Sequence, residues 1–176
     1  MNTQNSFNTY SSSFEIAIAF VLGEEGGFVD DPADNGGATK YGISQRSYPD
    51  LNIQSLTIEQ VKTIYHDDYW QKCRCGELPA AVACVVMDTA VNMGIGRAIR
   101  LLQEALRVTV DGIMGPKTIE AAYLNPPLFY LGDYFSYRAR RYHTIVVRGQ
   151  GSSRFIRGWF KRCFQLQQYL YEERLL

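Results

Sequence analysis

Histidine is nearly missing from this sequence: two in 176 residues, His66 and His143, far apart along the chain. The four cysteines, Cys73, Cys75, Cys84 and Cys163, include one Cys-x-Cys step. That step is too tight for the usual zinc pair, and no second pair follows it. No metal centre is therefore expected, and the thiols are expected to be reduced or buried. No apolar run approaches the ~20 residues that a membrane span needs. Ile16–Leu22 is apolar, but Glu15 precedes it and Glu24 and Glu25 follow. Without a basic segment before it or a small-residue cleavage site after it, this stretch does not read as a secretory signal. The expectation is a chain made in the cytoplasm with no stable membrane insertion. Net charge is absent too, with 18 Lys and Arg against 18 Asp and Glu. The signs are segregated, however. Residues 1–137 hold nine basic and sixteen acidic side chains, whereas residues 138–176 hold nine basic and two acidic. A basic C-terminal face can meet an anionic polymer, or it can complement the acidic part of its own chain. No nucleic-acid motif accompanies it, and no nucleic-acid partner is expected.

What is present is a core and many aromatic rings. Hydrophobic residues make up 46% of the chain, and tyrosine alone occurs 12 times. The length suits one compact domain or two small lobes sharing a core. Residues 1–12 are polar and uncharged and read as a loose tail. Ser13 can cap a helix from Phe14 to about Gly23, ended by Gly26-Gly27. Thr57-Ile-Glu-Gln60 is a capping box that opens a second helix to about Gln71. Pro79 opens a third that is apolar on most sides, as a central buried helix would be. Further helices are expected over about 97–108, after Pro116, from Pro126-Pro127 to about Val147, and after Ser153 to the end. Asp111-Gly-Ile-Met-Gly115 between them is a compact turn closed by Asp111. The sum is a mainly α chain of about seven helices with at most one short β-hairpin, over Ala38–Ser44.

The segment 28–45 is the least helical and the richest in glycine and acid, as function-bearing loops tend to be. Glu25 falls at the C-terminal end of an apolar helix. The negative helix end and apolar neighbours both favour its protonated form, which is what a general acid requires. Gly26 and Gly27 leave room for a polymer to approach. Asp34, nine residues on, can activate a water, and the Thr39 hydroxyl can hold it. Asp30 and Asp31 compete with Asp34, although Asp31-Pro32 reads more as a turn. Equally, Glu24 and Glu25 can be ordinary exposed acids at a helix end. Tyr41 and Tyr69 offer faces on which a pyranose ring can stack, while Trp70 and Trp159 read as core. Asn92 can bond an acylated sugar amine or cap its helix. Asp88, inside an apolar helix, needs a partner such as an arginine or a backbone amide. Arg138, Arg141 and Arg162 can bind carboxylates bidentately or pair with acids of this chain.

The run Glu25-Gly-Gly-Phe-Val-Asp-Asp-Pro-Ala-Asp-Asn-Gly-Gly-Ala-Thr-Lys-Tyr-Gly-Ile-Ser44 resembles the signature of glycoside hydrolase family 108, bacterial and phage N-acetylmuramidases. In that family the glutamate before paired glycines is taken as catalytic, and it falls on Glu25. Phe28 stands where tyrosine is usual and Asn35 where proline is frequent. Residues 88–103, the Asp111–Thr118 turn, Arg138–Arg141 and Gly158-Trp159-x-x-Arg162 resemble the peptidoglycan-binding segment that completes such proteins. The resemblance spans about residues 14–165. It implies a lysozyme-like fold, with a catalytic lobe over 13–93 and a peptidoglycan-binding lobe over 94–176 packed on it. It implies peptidoglycan glycan strands as partner, no cofactor, and cleavage of the β-1,4 bond between N-acetylmuramic acid and N-acetylglucosamine. Tyr-Gly-Ile-Ser-Gln-Arg-Ser-Tyr-Pro-Asp-Leu-Asn-Ile53 is similar to the toxin-export muramidases of enteric bacteria. A role in lysis or export, in the periplasm and beside a holin-like export partner, follows as an expectation. A non-catalytic wall-binding module and a lytic transglycosylase are the rival readings.

Overall fold

The computed structural model describes residues 10–26, 28–29, 38–149 and 153–176. Among them are seven α-helices and one small antiparallel sheet. No helix is long and apolar enough to cross a membrane.

The first helix, α1 (Ser12–Glu25), starts two residues earlier than its apolar stripe suggests. Ser11 supplies the cap, its hydroxyl accepting from the Phe14 amide at 3.3 Å, and Ser13 already lies inside the helix. Gly26, with a positive φ, ends it, so Glu25 is the last helical residue. The predicted box at Thr57 forms in full: Thr57 and Gln60 exchange side chain-to-backbone bonds at the head of α2 (Ile58–Tyr65). The chain then runs on through a π-helical turn, His66–Trp70, closed by an amide-to-carbonyl bond from Gln71 back to His66. Such wider turns recur at functional sites because they re-aim neighbouring side chains.

Helix α3 (Ala80–Met93) is the centre of the molecule. All ten residues from Ala81 to Thr89 and Ala90 are buried. A helix apolar on every side has no wet face, and its neighbours must wrap it. Helix α1 and α4 (Ile95–Leu106) pack along it; α4 in turn meets α5 (Pro116–Leu124) and α6 (Leu128–Val147), and α7 (Ile156–Glu172) closes against α6 and α1. Burying each Val, Ile, Leu or Phe here contributes roughly 1.5–3 kcal/mol before entropy is counted. Pro116 takes the first position of α5, as its fixed φ favours. Ser153 does not cap α7; it begins a single 3-10 turn, Ser153–Phe155, that leads into the helix. Cys73, Cys75, Cys84 and Cys163 are all buried free thiols.

The hairpin gains a third strand. Strands β1 (Phe28–Val29), β2 (Thr39–Lys40) and β3 (Ile43–Ser44) lie in that order, with Phe28 opposite Lys40 and Thr39 opposite Ser44. Tyr41 and Gly42 join β2 to β3, and both have positive φ. Two such residues are what a tight type I′ hairpin turn requires. Tyr41 bears the strain of that angle, and the Tyr65 hydroxyl fixes it by donating to the Tyr41 carbonyl at 2.8 Å.

Candidate active site

Helix α1 delivers Glu25 to the place where α7, α3 and the β2–β3 turn converge. Its side chain is 21% exposed, and Oε1 accepts a 2.8 Å bond from Arg162 Nη1 on α7. Arg162 also reaches Asp88 in the buried helix: Nε donates to Asp88 Oδ1 at 2.8 Å, and Nη2 lies 2.7 Å from the same oxygen. The other Asp88 oxygen accepts from Arg138 Nη1 at 2.6 Å. Arg138 Nε donates to the Tyr142 hydroxyl at 3.0 Å, which donates to Asn92 Oδ1 at 2.6 Å. One unbroken polar chain thus runs Glu25–Arg162–Asp88–Arg138–Tyr142–Asn92 through the core, its four charges alternating in sign.

The alternation is what makes so much buried charge tolerable. Burial works to lower the pKa of Arg138, but the Asp88 carboxylate outweighs it and holds the guanidinium above its ordinary range. Arg162 is likewise held up, against its burial, by Asp88 and then Glu25. Burial pushes the Tyr142 hydroxyl up to about 12, which keeps it a donor at neutral pH.

The second Glu25 oxygen faces the turn. A Cβ built on Gly42 would lie 2.9 Å from Oε2 and 2.7 Å from the Tyr65 hydroxyl. The hairpin can approach the carboxyl this closely only because position 42 has no side chain. Gly42 also borders a cleft of about 430 Å³, lined with Tyr65, Asp68, Tyr69, Gly94 and Ile95. Burial and, after it, the charge of Glu25 raise the Tyr65 pKa far above normal, so that hydroxyl stays protonated. Opposite, the Tyr48 hydroxyl donates to Asp68 at 2.7 Å, and Lys72 pairs with the other Asp68 oxygen. The cleft therefore has tyrosine rings along a wall and the Glu25 carboxyl just behind its Gly42 rim, a layout suited to a polymer carrying hydroxyl and acetamido groups.

The residues singled out from sequence fare differently. Tyr69 lines the cleft, Glu25 adjoins its Gly42 rim, and Thr39, half-buried, sits on β2 ahead of the turn. Tyr41 forms the turn itself and packs partly against the core. Asp34, with Asp30 and Asp31, lies outside the described residues. Asn92 is inside α3, not its cap, and accepts from Tyr142 away from the Glu25 cleft. Arg138 must be corrected: at 0% exposure it cannot touch a ligand, because Asp88 in the apolar helix claims it. The surroundings of Glu25 also need correcting, since an arginine meets it where apolar neighbours were expected. Trp70 is core, whereas Trp159 is half-buried and stacked on Tyr142 at 4.9 Å. Gly42, Tyr65 and Tyr48 were not singled out. A glycine before Ile43 and a tyrosine on an amphipathic helix carry no local mark of the acid they adjoin.

The helical frame is lysozyme-like and mainly α, and the family models that match the chain make it a glycoside hydrolase that acts on peptidoglycan. The sequence model described as glycosyl hydrolase 108 matches residues 18–94, and the one described as a predicted peptidoglycan domain matches residues 97–164. The chain belongs to the glycosyl hydrolase 108 family. Among solved structures it is similar to SagA of Brucella abortus, with 30% identity and a TM-score of 0.76 over 90% of this chain and 94% of that one. No curated protein matches it significantly in sequence.

Proposed function

We propose that this protein is an N-acetylmuramidase that hydrolyses the β-1,4 bond between N-acetylmuramic acid and N-acetylglucosamine, with Glu25 as its general acid. The observation that carries the reading is the split environment of the Glu25 carboxyl. Arg162 anchors Oε1, so the side chain cannot swing, and Oε2 is left at the Gly42 rim of the cleft. A proton on Oε2 can pass to the glycosidic oxygen of a strand lying there, and the sugar leaves behind an oxocarbenium-like centre. Water completes the reaction, activated by Asp34 and held by Thr39 in this proposal. Tyr69 and Tyr41 would stack on or bracket the sugar rings. Lobes over 13–93 and 94–176 would divide cleavage from wall binding. The similarity of the Tyr41–Ile53 run to export muramidases supports a role in cargo export or lysis, made in the cytoplasm and delivered to the periplasm with a holin-like partner.

The test is digestion of purified peptidoglycan by wild type and Glu25→Gln, with mass analysis of the products. Wild type is expected to release muropeptides with new reducing N-acetylmuramic acid ends, and Glu25→Gln to fall by at least about a thousandfold with its melting temperature kept. Anhydro-sugar products would replace this reading with a lytic transglycosylase. Full activity in Glu25→Gln, or binding without cleavage by wild type, would end it.

A further inference from the structure

On the far side of the α3–α4 break from the Glu25 cleft lies a second pocket, of about 310 Å³, bordered by Asn92, Arg97, Arg100, Arg141, Tyr142 and Trp159. Three arginines line it and no acid does. Among the described residues, no carboxylate stands within ion-pair distance of Arg97, Arg100 or Arg141. The two buried arginines, by contrast, are consumed by Asp88, and Arg74 and Arg140 each hold a glutamate. Arg97 and Arg141 are half-buried, so their charges sit at a wall and not on free stalks.

The pocket is built. Arg100 folds back along its own helix, donating to the Gly96 carbonyl at 3.0 Å and the Asp111 carbonyl at 3.2 Å. Its guanidinium lies so close over Gly112 that a Cβ there would be 2.6 Å away. Across from it Trp159 stacks on Tyr142 at 19° between planes, giving one rigid aromatic wall. Asn92, its Oδ1 pinned by the Tyr142 hydroxyl, borders the same space and carries an amide donor. Guanidinium forks, an amide donor and a flat ring face together suit a carboxylate on a short amide-bearing chain.

Position decides which carboxylate. Gly94 and Ile95 border the Glu25 cleft, while Met93 and Gly96, the residues on either side of them, border this pocket. A strand lying in the cleft would carry its branches past that break. We infer that the arginine pocket binds a free carboxylate of the peptidoglycan stem peptide while the glycan occupies the Glu25 cleft. The inference rests on the muramidase reading for the location of the glycan, but its ligand can be tested without cleavage.

The experiment measures binding of soluble glycan strands to the full chain carrying Glu25→Gln, so that nothing is cut. Three ligands are compared: strands with stem peptides, the same strands with their carboxylates converted to neutral amides, and strands stripped of peptide, which keep only the sugar's lactyl carboxylate. Peptide-bearing strands are expected to bind at least about tenfold more tightly than the other two. Adding Arg97→Gln and Arg141→Gln is expected to erase that advantage and leave the weaker ligands unchanged, with melting temperature as the control for folding. Arg141→Lys should retain part of it, as a point charge without a fork does. Equal loss on all three ligands, or no advantage for free carboxylates, would overturn the assignment. Loss on stripped strands alone would do so too, by moving the ligand to the lactyl group. Failure of wild type to cleave, with this binding pattern intact, would count against the muramidase reading only.

Discussion

At the scale of single residues, the most consequential group besides Glu25 is Asp88. A carboxylate in the middle of the most apolar helix is stable only because two guanidiniums reach it from α6 and α7. Removing Arg138 leaves Asp88 Oδ2 buried without its donor, which costs up to about 3–5 kcal/mol. Arg138→Met is therefore expected to lower unfolding free energy by that amount in denaturant titrations. Asp88→Leu combined with Arg138→Met should recover part of the loss. Arg162→Met should do more than destabilise. It frees Glu25 Oε1, so the rate on peptidoglycan should fall further than in Arg138→Met at matched folded fraction. A milder effect belongs to Asp68. Its hydrogen bond from Lys72, and then that from Tyr48, holds its pKa below the ordinary 3.8. A lowered folded-state pKa means stability that is fully present above about pH 4 and lost as pH falls through the lowered value. The pair is partly exposed, so the amount is under about 1 kcal/mol. Asp68→Asn should lower stability by that much at neutral pH and leave it nearly unchanged at pH below the lowered pKa, which flattens the acid side of the stability curve.

At the scale of elements, the hairpin turn and the end of α1 act together. Gly42→Ala tests this, because a methyl there would meet Glu25 Oε2 and the Tyr65 hydroxyl in a backbone conformation that disfavours any Cβ. The backbone term costs about 1 kcal/mol, but the collision displaces the acid itself. Activity on peptidoglycan is expected to drop at least about a hundredfold while melting temperature falls only a few degrees. This coupling was beyond local sequence signals, since nothing in Lys40-Tyr-Gly-Ile43 says what the turn will touch. Signals confined to one turn of chain were readable: the Thr57 box, the Pro116 start, the apolar envelope of α3 and the self-closing Asp111 turn all formed. Helix α1 was read one turn too short because its first turn is polar and its last residues are acidic. The identity of the partners was the part left open. Asp88 had to find an arginine, and Glu25 received one from 137 residues away, a pairing fixed only by how α7 docks. Gln103 is similar: its amide holds Asp111, the Ile113 carbonyl and Thr118 from inside α4, a role its helix periodicity does not disclose.

At the scale of the whole molecule, the two matched segments, 18–94 and 97–164, are not independent units laid side by side. The acid and Asp88 belong to the first, and the arginines that neutralise them belong to the second. Helix α3 is covered on one flank by α4, and α4 by α6, so cutting the chain at Gly94 would strip that flank. The fragment 1–94 would expose apolar residues worth roughly 1.5–3 kcal/mol each and leave Asp88 unpaired at a further cost of about 3–5 kcal/mol. Domains have only about 5–15 kcal/mol in hand. The fragment is therefore expected to show no cooperative thermal transition by circular dichroism and no release of reducing ends from peptidoglycan. Co-expression with residues 95–176 should restore both, because it returns Arg138 and Arg162 to Asp88 and Arg162 to Glu25. A fragment that folds and cleaves unaided would mean that the buried ionic chain is dispensable for the acid's position, and that Glu25 is oriented by the hairpin alone.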